Sequence, residues 1–219
     1  MSPRSTATTP WVAVTLALSF ASVACREAAP VPGSGGEAAP DSFLVAFETS
    51  AGTVTMLMRR AWSPLAVDRV HELATANHWA GARIYRVNPR YAQFGYTGRP
   101  SLDSTWIEAG LPDEPVRASN LRGTVSFARG GPGTRSVILF VNRGDNSNLD
   151  ALEWQGVLGF PPVGTVVEGM DVVDAFHDAY GEEPLEWEDS IAQAGNAFLD
   201  ARFPGLDSII RVRVVEDWP

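Results

Sequence analysis

The sequence predicts a mainly β protein: a closed eight-stranded antiparallel β-barrel with two principal capping helices and an extra C-terminal helix. Three observations predict it. Many short strand-like runs follow one another between turn residues. Only two stretches carry a principal helical pattern. The last run, Ser208 to Val215, places Ile209, Val212 and Val214 as a barrel-closing strand beside the first would require. At 219 residues, with 45% hydrophobic and 20% charged content, the chain is one globular domain of ordinary size.

The first forty residues stand apart. Met1 to Pro10 is polar with one arginine, Arg4, and Trp11 to Ala24 is almost wholly apolar. A charged start, a short apolar run and small residues at its end make a secretory signal, residues 1–24. The run falls short of the ~20 residues of a spanning helix. Ser22-Val23-Ala24-Cys25 resembles a lipobox, although that box usually carries Leu where Ser22 stands; lipid would attach at Cys25, the only cysteine. Ordinary cleavage after Ala24 fits the same small residues. Residues 25–41, rich in Pro, Gly and Ala, read as a tether, and residues 42–219 as the folded domain.

The domain opens with two strands, Phe43 to Thr49 and Thr53 to Arg59, joined by the turn Ser50-Ala51-Gly52. Ser63-Pro64 starts a helix, serine as N-cap and proline at the first helical position, with Ala66, Val67, Val70, Leu73 and Ala74 on one face. Strands follow at Ala82 to Val87, Tyr91 to Gly95, Gly123 to Ala128, Ile138 to Asn142 and Val163 to Val167. A second helix follows Gly169, with Met170, Val173 and Phe176 on one side. Glu182 to Asp207 is an acidic-led addition in which Ile191, Ala194, Ala197, Phe198 and Ala201 mark a short amphipathic helix.

Composition excludes several chemistries. A net charge of -9 is unsuited to binding phosphate backbones, so no nucleic-acid partner is expected. All 17 basic residues other than histidine are arginine, which removes Schiff-base and lysine-nucleophile mechanisms. The lone Cys25 rules out an intrachain disulfide and a cysteine metal cluster. His71, His78 and His177 have no metal-ligand spacing and read as surface or helix-end residues. Gly130-Gly131-Pro132-Gly133 is a turn without the lysine and helix of a phosphate loop, and there is no Gly-x-Ser-x-Gly elbow.

Five segments, in order, carry a family resemblance. Ile84-Tyr85-Arg86-Val87-Asn88-Pro89-Arg90-Tyr91-Ala92-Gln93-Phe94-Gly95 resembles the cyclophilin motif Phe-x-Arg-Val-Ile-x-Gly-Phe-x-x-Gln-Gly-Gly. Arg122-Gly123-Thr124-Val125-Ser126-Phe127-Ala128-Arg129 resembles that family's Arg-Gly-Thr-(Ile/Val)-Ser-Met-Ala segment. Val137-Ile138-Leu139-Phe140-Val141 is similar to Ser-Gln-Phe-Phe-Ile, and Asn148-Leu149-Asp150 to Trp-Leu-Asp. Val163 to Val173 is similar to Phe-Gly-x-Val-x-x-Gly-Met-x-Val-Val.

The resemblance implies a peptidyl-prolyl cis-trans isomerase acting on proline-containing polypeptides, with no metal and no cofactor. Rotation about the Xaa-Pro bond faces a barrier of ~20 kcal/mol from amide resonance. No covalent bond breaks, so the site needs an apolar cup for the ring and a cation beside the nitrogen that becomes basic as the amide twists. The resemblance assigns catalysis to Arg86 and Gln93. It assigns substrate binding to Tyr91, Ala92, Phe140, Leu149 and Phe160 as the cup, with Ala128, Arg129 and Ile138 along the groove.

The chain also departs from the family. Arg86 to Gln93 is one residue shorter, so Tyr91 or Arg90 takes the aromatic place, Tyr91 being preferred. Ile138 replaces the groove glutamine, Asn148 the tryptophan associated with cyclosporin binding, and Phe160, after the insertion Ala151 to Gly159, stands near the family's histidine. Taken singly, Arg86 reads as a surface arginine, Gln93 as a strand-edge side chain and the aromatic residues as core. Two functions follow. One is a monomeric isomerase assisting the folding of cell-envelope proteins, exported and held on the periplasmic side of a bacterial membrane through Cys25, or soluble and secreted. The other is a catalytically weak module that binds extended or proline-containing segments.

Overall fold

The computed structural model describes residues 38–218 together with Met1, the last three of these as backbone only. Residues 2–24 of the segment read as a secretory signal, Cys25 and most of the stretch read as a tether lie outside the described residues. Packing is already present at the tether's end. Ala39 is buried against the core and its amide donates to Asp68 at 3.0 Å, while the Arg60 amide donates to the carbonyl of Asp41.

Eight strands form one curled antiparallel sheet. In chain order they are β1 (Ser42–Thr49), β2 (Gly52–Arg59), β3 (Ile84–Val87), β4 (Tyr91–Phe94), β5 (Thr124–Phe127), β6 (Leu139–Asn142), β9 (Pro162–Glu168) and β10 (Ile209–Trp218). A separate hairpin, β7 (Glu153–Trp154) and β8 (Val157–Leu158), occupies the insertion. The sheet order is β10-β1-β2-β9-β5-β6-β4-β3. The helices are α1 (Pro64–Thr75), α2 (Pro100–Ile107), α3 (Met170–Asp174), α4 (Glu188–Ala194) and α5 (Asn196–Arg202).

The expected closed barrel is corrected to a curled sheet without a closing ladder. Among the described residues, edge strands β3 and β10 meet only around the isolated bridge Arg83–Ser208, where the amides of Ile84 and Ile209 donate to Asp207 and Ala82 at 2.9 Å. The reason lies in the extension. β10 spends its length on β1, and the outer edge of the four-residue β3 is taken instead by residues leading into β10 and by Gly181, which bridges Val87.

The core follows the two-residue period of the strands. Val54, Met56 and Met58 of β2 point inward, as do Ala92 and Phe94 of β4 and Leu139 and Val141 of β6. α1 covers the core with the five apolar residues expected of it, plus Arg69. Its capping differs from expectation. The Ser63 hydroxyl makes no bond to the helix amides; the Glu114 carboxylate accepts from Leu65 at 2.9 Å and Ala66 at 3.2 Å, and from Ser63 itself. A carboxylate there compensates both the free amides and the helix dipole.

Two helical features depart from the sequence reading. α2 was not expected, although Pro100 sits at its first turn; it buries Asp103 and Trp106. The single C-terminal helix is two, α4 and α5, broken at Gly195, whose φ of 60° favours glycine.

Candidate active site

The outward face of β3, β4 and β6 carries the site. Strand register sets Arg86 opposite Gln93 and Gln93 opposite Phe140, while Phe140 also faces Ser126 of β5. Alternation sends Tyr91 and Gln93 to this face and Ala92 and Phe94 into the core. A groove of about 540 Å³ runs over the face.

Arg86 sits at one side of the groove. One guanidinium NH2 group (Nη1) donates to Gln93 Oε1 at 2.8 Å, while Nε donates to Glu182 at 2.9 Å and Nη2 to the same carboxylate at 3.1 Å. The guanidinium carbon lies 4.8 Å from the Tyr91 ring centroid. Gln93 is buried, and its Nε2 donates to the Tyr85 hydroxyl at 2.7 Å. That bond fixes the amide so that its oxygen faces Arg86. Tyr85 in turn donates to Glu188 at 3.2 Å. Burial pushes the Tyr85 phenol well above its usual value and also raises the Glu188 carboxyl, against the lowering effect of the Tyr85 bond.

Beside this polar row lies an aromatic cup. Tyr91 meets Phe140 edge-on with centroids 5.3 Å apart, and Phe140 meets Phe160 at 6.2 Å. Leu149 completes it from a 3-10 turn, Ser147–Asp150. Arg129 roofs Phe160, its guanidinium carbon 4.2 Å from the ring centroid. It donates to the carbonyls of Val157 and Gly159, and so ties the groove to the β7–β8 hairpin. Burial lowers the Arg129 pKa.

Comparison with known proteins decides what this arrangement belongs to. The model of the family described as cyclophilin type peptidyl-prolyl cis-trans isomerase/CLD matches residues 44–196. The chain belongs to that family. It is an enzyme of the cyclophilin-type peptidyl-prolyl isomerases. Solved structures of a cyclophilin type peptidyl-prolyl cis-trans isomerase from Cryptosporidium parvum share the fold. One has 14% identity and a TM-score of 0.54, covering 81% of this chain and 99% of that one. A second, determined in the presence of the dipeptide Ala-Pro, has 13% identity and a TM-score of 0.53, covering 78% and 98%. No curated protein matches the chain.

In this cyclophilin the sequence-derived residues Arg86, Gln93, Tyr91, Ala128, Arg129, Ile138, Phe140, Leu149 and Phe160 all border the groove. Ala92 does not. It is fully buried in the core, because one residue along a strand reverses the face. The choice between Tyr91 and Arg90 resolves to Tyr91, since Arg90 turns away to donate to Asn146 and Asn148, each at 2.9 Å. His78 is also corrected: it is buried beside Trp79 and Trp106, and desolvation lowers its pKa to about 3.

Several groove residues were not foreseen. Trp154 comes from the β7–β8 hairpin, Ile107 from α2, and Leu185 and Glu188 from the extension. The hairpin had a signal, since Gln155-Gly156 stands between Trp154 and the apolar pair Val157-Leu158, and both residues adopt positive φ, 53° and 82°. Glu188 had none, because its place depends on a contact 103 residues away in sequence.

Proposed function

We propose that this enzyme catalyses rotation about Xaa-Pro bonds in exported cell-envelope proteins, with Arg86 as the cation that stabilises the twisted amide. The observation that carries the assignment is the placement of Arg86 and Gln93 beside the cup of Tyr91, Phe140, Leu149 and Phe160. A proline ring seated on Phe140 brings its amide nitrogen alongside the guanidinium. As the amide twists, the nitrogen pyramidalises and gains basicity. A donor already oriented and partly desolvated then binds the transition state more tightly than either planar isomer. Ala128, Arg129 and Ile138 flank the peptide preceding proline.

The signal pattern of residues 1–24 and the cysteine at position 25 support export and lipid attachment, which would hold the domain at a bacterial membrane surface by residues 25–41. Clients with proline in extended segments are then envelope proteins folding outside the cytoplasm. A protease-coupled isomerisation assay over a panel of Xaa-Pro peptides tests the catalytic reading, and mass spectrometry of the native protein tests the lipid. Turnover equal to the uncatalysed rate across the panel would leave a binding module, a reading that Ile138 favours because it offers the peptide backbone no polar side-chain group.

A further inference from the structure

Arg86 and Gln93 occupy the middle of a longer chain of hydrogen bonds whose two ends are carboxylates. The order is Glu182, Arg86, Gln93, Tyr85, Glu188, with each neighbouring pair bonded. Both carboxylates belong to the segment between β9 and β10 that the sequence marked as an addition. We infer that Glu182 and Glu188 are positioning residues for the catalytic pair, and that the segment 181–203 is a fixed wall of the active site; this rests on the proposed role of Arg86.

Three observations separate a wall from a loose lid. The backbone is fastened where Glu182 leaves it, because Gly181 bridges Val87, the residue that follows Arg86. Glu182 is itself held from the other side by the Asn88 side-chain Nδ2, while Oδ1 of the same side chain accepts the backbone amides of Arg90 and Tyr91. The Arg86–Glu182 pair is thus built into the turn that joins β3 to β4. At the far end, Tyr85 and Tyr96 pack with Ile191, Leu199 and Phe203 in a second apolar cluster, which anchors the segment to the sheet.

The geometry also distinguishes positioning from blockade. Glu182 takes the Nε edge of the guanidinium and Gln93 takes one hydrogen of Nη1, so one hydrogen on each terminal nitrogen is left for substrate. Arg86 still borders the groove, whereas Glu182 does not. A two-point carboxylate contact fixes the plane of the guanidinium as a single contact cannot. At the other end, Glu188 fixes the direction of the Tyr85 hydroxyl, which must accept from Gln93; were the amide reversed, Gln93 would present a donor to Arg86.

The test measures turnover and KM separately for Glu182→Ala, Glu182→Asp, Glu188→Ala, Glu188→Gln and Tyr85→Phe, with Glu183→Ala as control, since Glu183 pairs with Arg202 at the surface and does not border the groove. Glu182→Ala is expected to lower turnover five- to tenfold with KM within twofold, and Glu182→Asp to recover part of it. Glu188→Ala and Tyr85→Phe are expected to lose threefold or more, and Glu188→Gln to stay near wild type because its amide oxygen still accepts. The Arg86 Nε–H resonance, protected from exchange in the wild type, should broaden or vanish in Glu182→Ala. If Arg86→Ala is inactive while Glu182→Ala and Glu188→Ala both turn over within twofold of wild type, the inference fails and the catalytic reading stands. A faster Glu182→Ala would make Glu182 a competitor for Arg86 and overturn positioning. An inactive wild type would remove both.

Discussion

Arg86 on β3 lies directly across from Gln93 on β4, and its guanidinium donates a 2.8 Å hydrogen bond to the Gln93 side-chain oxygen. Antiparallel register brings the two side chains together, seven residues apart in sequence across a tight turn, and the Tyr85 bond turns the amide oxygen toward Arg86. Arg86→Ala is expected to lower the isomerisation rate constant at least tenfold with the fold intact. A charge-assisted hydrogen bond of ~1.5–3 kcal/mol corresponds to one or two factors of ten. Arg86→Lys should recover little, because an ammonium cannot keep both the Glu182 and the Gln93 contacts. Peptide affinity should fall less than rate, and an equal loss in both would assign Arg86 to ground-state binding.

Cyclosporin should bind weakly. Asn148, in the place of the family's tryptophan, is exposed, does not border the groove, and has its oxygen engaged by Arg90. Losing an indole contact at a hot spot costs ~2 kcal/mol or more. Calorimetry should therefore find weak binding that improves in Asn148→Trp, and tight binding by the wild type would refute the placement.

Trp154 should act in substrate binding. It stands on the hairpin at the groove's rim and is 47% exposed. Covering such a ring contributes about 1 kcal/mol, so Trp154→Ala is expected to raise KM roughly fivefold and leave turnover unchanged. A fall in turnover at constant KM would instead tie the hairpin to the chemistry.

Much of this was legible in the sequence, for identifiable reasons. The eight strands of the main sheet announced themselves through two-residue periodicity and turn residues, and the cup through the order of family segments. Ala92 was misassigned because a motif records residues, whereas the face a residue occupies depends on strand phase. The open sheet and the carboxylates at 182 and 188 were not legible, since both depend on how an added segment returns to β3. Trp79, Trp106 and His78 illustrate the same limit: one aromatic cluster forms from residues that no local period connects.

Arg135 shows what a buried charge does outside the catalytic row. Its side chain is 1% exposed and pairs with Glu114 at 3.1 Å, while also donating to Ser63 and to the carbonyl of Pro112. Since Glu114 caps α1, this one arginine links the 112–114 loop to the helix start. Arg135→Ala removes the buried counter-charge of Glu114, leaving it the Ser63, Leu65 and Ala66 donors, and is expected to cost ~3 kcal/mol in chemical denaturation. A loss below about 1 kcal/mol would show that water or Ser63 replaces it.

The protein should lose stability on mild acidification, and His78 supplies the reason. Burial, and then the positive charges of Arg99 and Arg69, hold its pKa at about 3 in the folded state, against ~6.5 in the unfolded chain. Asp103 lies 4.0 Å from its Nε2 without offsetting this. Above pH 6.5 both states carry a neutral imidazole and His78 adds no pH dependence. As pH falls below that value the unfolded chain takes up a proton that the folded chain refuses, so stability declines by up to ~1.4 kcal/mol per pH unit toward pH 3. Asp103 and Glu188, whose carboxyls are raised by burial, act with the opposite sign, because the folded chain takes up their protons before the unfolded chain does. Between pH 6 and 4.5 the His78 contribution is ~2 kcal/mol, or roughly 4–8 °C in Tm for a domain of this size. His78→Gln, which cannot titrate, should flatten that slope even if its Tm at pH 7 is lower. Parallel slopes for the two proteins across that range would rule out His78 as the titrating group.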